Sequence, residues 1–154
     1  MSAGTGIGEE IEYVTVSVAD QLFGLPIARV REVFVATALT AIPLAPREIV
    51  GLINLRGRVI TAICLRRRLG LPDRQEGPPE MAVGIEHHGE SYGLRVDAVG
   101  EVMKLSAHAR EPNPAHMDPR WLEITQGVHR IERRLLIVLD VDALLSFDVE
   151  TRAA

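Results

Sequence analysis

One cysteine, Cys64, stands among 154 residues, so the chain has no intramolecular disulfide framework. That fits a reducing compartment. Aromatic residues are also scarce, at 4%, and the net charge is −4. A barrel that binds nucleic acid needs a basic face studded with aromatic rings, so no nucleic-acid partner is expected. No apolar run approaches the roughly 20 residues of a membrane helix. Residues 1–11 hold small side chains and then Glu9 and Glu10, without the basic and apolar regions of a secretory signal. The expectation is a cytoplasmic protein with no direct membrane insertion. The sequence also lacks a Walker motif, a Gly-x-Ser-x-Gly elbow and a His-Glu-x-x-His helix. Gly4-Thr5-Gly6-Ile7-Gly8 has glycines like those of a dinucleotide loop, but it follows no strand and opens no helix.

What the chain does have is an internal echo. Phe23-Gly24-Leu25, Ile27, Val30, Glu32 and Val33 reappear 69 residues later as Tyr92-Gly93-Leu94, Val96, Val99, Glu101 and Val102. Val14 and Val16 map onto Val83 and Ile85 at the same offset. A second block, Gly51, Leu52, Leu55, Arg58, Val59, Ile60 and Ile63, returns 76 residues on as Gly127, Val128, Ile131, Arg134, Leu135, Leu136 and Leu139. The longer offset places an insertion near Pro112, Pro114 and Pro119. Two copies are too few for a solenoid. They predict two similar lobes side by side, from approximate repeats 11–76 and 80–148, after a disordered N-terminus at 1–10.

The local patterns are mostly strand. Tyr13 to Ala19 alternates with a period of two and turns at Ala19-Asp20-Gln21 into a returning strand over Leu22–Ile27. Val30–Val35 is rich in β-branched residues and continues as a further strand. Met81–Glu86 and Ser91–Val96 make a second hairpin around His87-His88-Gly89-Glu90, and Val99–Leu105 extends it. Val59–Leu65 and Leu135–Val141 are apolar strands. Pro46 is placed to open a short helix through Ile49, Asp118-Pro119 reads as a helix start, and Asp142 as a cap over Ala143–Leu145. Many short strands and frequent turns predict small all-β barrels with short helices.

Few residues suggest chemistry. The neighbours of Cys64 are those of a core strand, which predicts a buried, inert thiol. His87 and His88 are adjacent on a strand, which points them to opposite faces and away from a shared metal ion. His108 and His116 lack a familiar ligand spacing, and Asp140 with Asp142 fits capping better than acid–base work. The clusters Arg66-Arg67-Arg68 and Arg133-Arg134 read as solvated turns after strands. No catalytic residue, metal or cofactor is expected. Arg56 stands out because Asn54-Leu55-Arg56-Gly57 is not reproduced in the second copy, where Glu132-Arg133 occupies the matching places. A residue kept in one copy only is a candidate for function, or for a surface pair with Glu32 or Asp97.

Four segments together carry a family resemblance. They are Phe23-Gly24-Leu25-x-Ile27-x-x-Val30-x-Glu32-Val33, then Gly51-Leu52-Ile53-Asn54-Leu55-Arg56-Gly57, then Val96-Asp97-x-Val99-x-Glu101-Val102, and Leu135–Val141. The chain resembles the CheW-like family, the coupling proteins of bacterial chemosensory arrays. The resemblance implies an all-β fold of two SH3-like five-stranded barrels about a pseudo-two-fold axis. It implies a non-catalytic scaffold, recruited to membrane-associated arrays, whose partners are a chemoreceptor cytoplasmic tip and a histidine kinase regulatory domain. Val30, Glu32, Gly51, Arg56 and Val102 would face the receptor, with Arg56 organising a groove between the lobes. The family commonly has Pro-x-x-Asp-Leu in the strand after Asn-Leu-Arg-Gly, where this chain has Thr61 and Cys64. The competing reading is a small-molecule-binding sensor that uses the groove between the lobes.

Overall fold

The computed structural model describes residues 9–37 and 39–146. Its ten strands are β1 (Glu10–Val18), β2 (Gln21–Pro26), β3 (Val30–Val35), β4 (Ile49–Leu55), β5 (Arg58–Cys64), β6 (Met81–His87), β7 (Glu90–Val96), β8 (Ala98–Ser106), β9 (Thr125–Ile131) and β10 (Arg134–Leu139). Three short helices follow strands or loops: α1 (Leu65–Arg68), α2 (Pro119–Glu123) and α3 (Val141–Leu144). The strands form two five-stranded sheets, in the orders β8-β1-β2-β10-β9 and β3-β6-β7-β5-β4.

Each sheet is one lobe, and each lobe draws strands from both sequence copies. The first hairpin, β1–β2, joins β8, β9 and β10 of the second copy. The second hairpin, β6–β7, joins β3, β4 and β5 of the first. The chain therefore crosses between lobes twice, at the 3-10 turn Ile27–Arg29 and at Asp97. The expected equivalence of residues 14–33 and 83–102 appears in the registers. Val14 lies opposite Val102 and Val16 opposite Val99, while Val83 lies opposite Val33 and Ile85 opposite Val30. Both ladders slip by a bulge within this stretch. The parallel pairs match too, Val138 with Gly24 and Ala62 with Gly93.

The apolar residues sort into three cores. Tyr13, Leu136 and Val138 form a small core in the first lobe, and Ile53, Ile60 and Ala62 one in the second. The largest core takes side chains from both lobes, including Val16, Phe23, Leu25, Ile63, Val83, Leu94, Ile137 and Leu139. This corrects the half-buried reading of β1. Tyr13, Val14, Thr15 and Val16 are all buried, because each face of the strand meets a different core. Thr15 is satisfied there by donating from Oγ1 to the Glu101 carbonyl at 2.6 Å.

Several local expectations change. Residues 46–48 form turns, not a helix, and Ile49 already belongs to β4. The helix α3 is capped by Asp140, whose carboxylate accepts from Ala143 N at 3.1 Å, and Asp142 lies within the helix. Thus Asp140 and Asp142 do not share a strand face. The Asp118 cap and Pro119 start of α2 are as expected. Glu10 is already in β1, opposite Ser106, so the first strand starts before residue 11, and residues 1–8 of the expected disordered segment lie outside the described residues. Gly51 and Gly127 hold equivalent places at φ 151° and 137°. A Cβ there would stand 2.6 Å from the Thr40 carbonyl oxygen and 2.8 Å from that of Glu111. These glycines let a bridging segment lie close against β4 and β9.

Candidate functional site

The turn between β4 and β5 is a two-residue hairpin loop. Arg56 and Gly57 both have positive φ, 52° and 83°, the mirror-image turn that matches strand twist. Asn54 braces it by accepting from Gly57 N at 3.0 Å. Glycine suits this conformation and arginine does not, so the turn spends some stability to present Arg56. The guanidinium donates from Nη2 to Glu32 Oε1. Glu32 is on β3 and the turn adjoins β4, and these strands are the two ends of the sheet order. The ion pair therefore spans the seam that closes the second barrel. Arg56 is 68% exposed and Glu32 28%, so the pair contributes only up to about 1 kcal/mol to folding. The equivalent turn of the first lobe places Glu132 at φ 54°, so the same backbone carries the opposite charge there.

Exposed apolar side chains occur on the neighbouring strands, at Val33 and Val35 of β3 and at Val59 of β5, which is opposite Asn54. Val33 and Val35 alternate with Glu32 and Phe34 along β3, so they face away from the Glu32 side, and scattered exposed valines of this kind are ordinary. Of the five expected receptor-facing residues, the structure brings Glu32 and Arg56 into contact. Val30, at the start of the same strand, is half-buried against the shared core. Gly51 is buried and acts through the close approach described above. Val102 is exposed but belongs to β8 of the first lobe, opposite Val14.

Sequence reasoning missed the connections between the lobes. Arg66 is not a solvated turn residue. Its Nε and Nη2 donate to the two carboxylate oxygens of Asp97 at 2.9 and 2.7 Å. Asp97 also accepts from Ala19 N at 2.9 Å and donates its own N–H to the Ser17 carbonyl at 3.1 Å. Burial pushes the Asp97 carboxyl up, but Arg66 and the Ala19 N–H outweigh it and hold it below the usual carboxylate range. Arg67 pairs with Asp73, and Arg68 donates to the carbonyls of Ala143 and Leu144 at the end of α3. Trp121 Nε1 donates to the Leu69 carbonyl at 3.0 Å, joining α2 to the segment after α1. The signal was present in the repeat: Arg66 and Asp142 occupy the same position, with opposite charge.

Cys64 is buried, as expected, and precedes α1 without a side-chain cap. Asp140 occupies the equivalent position before α3 and does cap, so the Cys64 departure removes one helix cap. Native protein should resist a thiol reagent until it unfolds, and Cys64→Ala should cost roughly 1 kcal/mol in denaturant titration. Rapid labelling of the folded chain would revive a reactive thiol. His87 and His88 do not point apart. His88 has φ 51° and leaves the strand, so their ring centroids stand 4.0 Å apart. Among the described residues no group of three or more His, Cys, Asp or Glu side chains is arranged to hold a metal ion. Among them, also, no helix is long and apolar enough to cross a membrane.

Paired barrels that exchange strands over a shared core, with an ion pair across the seam of one of them, define a double-barrel fold. The CheW-like domain profile matches residues 12–148. The probable chemotaxis protein CheW of Rhizobium etli is 29% identical over 143 residues, 93% of this chain and 92% of that protein. The chemotaxis protein CheW of Rhizobium meliloti is 30% identical over 143 residues, covering 93% and 91%. The crystal structure of the scaffolding protein TtCheW from Thermoanaerobacter tengcongensis superposes with a TM-score of 0.80 at 31% identity, covering 91% of this chain and 95% of that one. The chain belongs to the CheW-like domain family.

Proposed function

We propose that this protein is a non-catalytic scaffold that couples chemoreceptors to a histidine kinase in bacterial chemotaxis or a related chemosensory pathway. The observation that carries the reading is the Arg56–Glu32 pair at the barrel seam, in a chain similar over nearly its whole length to chemotaxis CheW proteins. A receptor tip is a helical hairpin. One amphipathic helix face offers anchors at i, i+3, i+4 and i+7 that an apolar strip can receive, with charged groups at its rim fixing register. Arg56 and Glu32 supply those charges, and Val30, Gly51 and Val102 extend the proposed receptor side. The regulatory domain of the kinase uses a separate face. The protein acts in the cytoplasm and reaches the membrane only through the receptor. The small-molecule sensor reading gains nothing from the comparisons.

The test is binding of Arg56 variants to a receptor cytoplasmic fragment and, separately, to a kinase regulatory domain. Arg56→Ala should weaken the receptor fragment by about 1–3 kcal/mol, the scale of an interface hot spot. Arg56→Lys should weaken it less, since lysine keeps the charge but loses the planar fork. The melting temperature and kinase-domain affinity should stay near wild type, as the pair is exposed. Undiminished receptor binding by Arg56→Ala defeats the assignment of this residue.

A further inference from the structure

The two crossovers between lobes are built alike with their charges exchanged. After the last strand of each repeated block comes a short helix, and its second residue pairs with the chain crossing to the other lobe. At one edge this is Arg66 of α1 with Asp97 of the crossover between β7 and β8. At the other it is Asp142 of α3 with Arg29 of the crossover between β2 and β3, at 2.9 Å. The first pair is a two-point fork with only 15% and 17% of its side chains exposed. The second is a single contact with 31% and 72% exposed.

The second edge differs in one further respect. The residue facing it is the buried His87, in place of the equivalent Val18 at the first edge. His87 Nδ1 lies 3.4 Å from Arg29 Nη2 and 3.4 Å from Asp142 Oδ1. On its own hairpin the ring lies against His88 at a 60° tilt and meets Tyr92 edge-on at 6.2 Å, and its strand partner is Glu90. Glu86, beside it on β6, is paired with Arg31 of β3. A cavity of about 620 Å³ adjoins the cluster, walled by Ile42–Pro46, which bring no charge, and by Leu145. Neutral His87 offers a lone pair on Nδ1 that can accept from Arg29. Protonated His87 has no lone pair there, repels Arg29, and competes with it for Asp142.

We propose that His87 makes this edge a pH-responsive clasp between the lobes, closed by Arg29 and Asp142 when the ring is neutral and loosened when it is protonated. The Arg66–Asp97 edge contains no histidine and stays shut, so the loosening is confined to the His87 edge while the shared core stays closed. The direction of titration agrees. Burial, then the charges of His88 and Arg29, hold His87 below the ordinary histidine value against the pull of Asp142 and Glu90. The unfolded or opened chain therefore takes up the proton first, and closure is lost as pH falls below about 6.5. This inference does not depend on the receptor reading.

The test is amide hydrogen exchange of the full chain at pH 7.5 and 5.5, corrected for the intrinsic rate. Protection of residues 27–30, 87–88 and 141–145 should fall at the lower pH, by at most about tenfold, since pH 5.5 lies about one unit below the ordinary histidine value. Protection around Arg66, Ala19 and Asp97 should hold. His87→Gln should abolish the fall. Arg29→Gln removes the competing cation but leaves burial and His88 in place, so acid should still lower protection in the same segments, by less than in the wild type. The buried His129 is also held low by burial and by Arg110, but it lies in β9 beside Tyr13, and its protonation would show there. An unchanged fall in His87→Gln, equal loosening at both edges, or no fall in the wild type would overturn the clasp.

Discussion

Asp97→Ala should lower unfolding stability by about 3 kcal/mol, the scale for breaking a largely buried ion pair. The loss exceeds that of any surface pair because three donors converge on one carboxylate. Removing it strands the Arg66 guanidinium, which is mostly buried between α1 and the crossover, and leaves Ala19 N without its acceptor. An uncompensated buried charge is what makes such substitutions costly. For a chain of this length the melting temperature should fall by roughly 6–12 °C. Asp97→Asn should fall between, since an amide keeps one acceptor for Arg66 or Ala19 but loses the charge. The pair also gives a pH direction. A carboxyl held below its usual range in the folded state contributes stability above the unfolded value, lost as pH falls through the folded one. Wild type should therefore lose stability in acid below about pH 4, the ordinary carboxyl range, and Asp97→Ala should lose less there. Equal acid sensitivity in both proteins, with a small loss at neutral pH, would show that the contact contributes little.

The hairpins were legible because their alternation is a direct consequence of strand geometry, and the repeat gave each of them twice. Two strands were not. In β4 the apolar run Ile49–Leu55 follows Pro46 and contains Gly51, which together resemble a helix start and a break. In β9 the polar Gln126 and His129 hide a strand whose inward residues are Thr125, Val128 and His129. The exchange of strands between lobes could not be read at all, and the reason is specific. Val33 pairs with Val83 and Val102 with Val14, yet exchanging these partners would leave the same residue types face to face. A perfect repeat carries no information about which copy a strand joins. Charge breaks the symmetry, since Arg66 meets Asp97 and Asp142 meets Arg29, but those pairs are recognisable only once the crossovers are known. Arg56 was found from its absence in the second copy, with Glu32 or Asp97 as its expected pair, and the structure pairs it with Glu32 while Asp97 takes Arg66. The exposure of Val33 and Val35 was invisible, because whether a β3 residue faces solvent depends on how the barrel closes.

Leu94→Ala should cost about 3–4 kcal/mol, and it should do so in a single unfolding transition. Leu94 is fully buried on β7, the central strand of the second sheet, between Val83 of β6 and Ile63 of β5. Truncation removes transfer free energy and leaves a cavity, and leucine-to-alanine changes in well-packed cores span about 2–5 kcal/mol according to how far the walls collapse. Here collapse is restricted. The neighbours on both sides are fixed by ladder hydrogen bonds, and the core above them is shared with Phe23, Leu25 and Ile137 of the other lobe. A void under one sheet is therefore felt by both. The same connectivity sets the cooperativity. Neither half of the sequence contains a complete barrel, because the first lobe needs β8, β9 and β10 and the second needs β3, β4 and β5. Opening either lobe strips strands from the other copy and exposes the shared core, so a half-folded species has no stable resting point. Calorimetric and van't Hoff enthalpies should agree for wild type and for Leu94→Ala alike. Two resolved transitions, with only the second lobe shifted by the substitution, would mean that the lobes are held by their separate small cores and that the shared core is secondary.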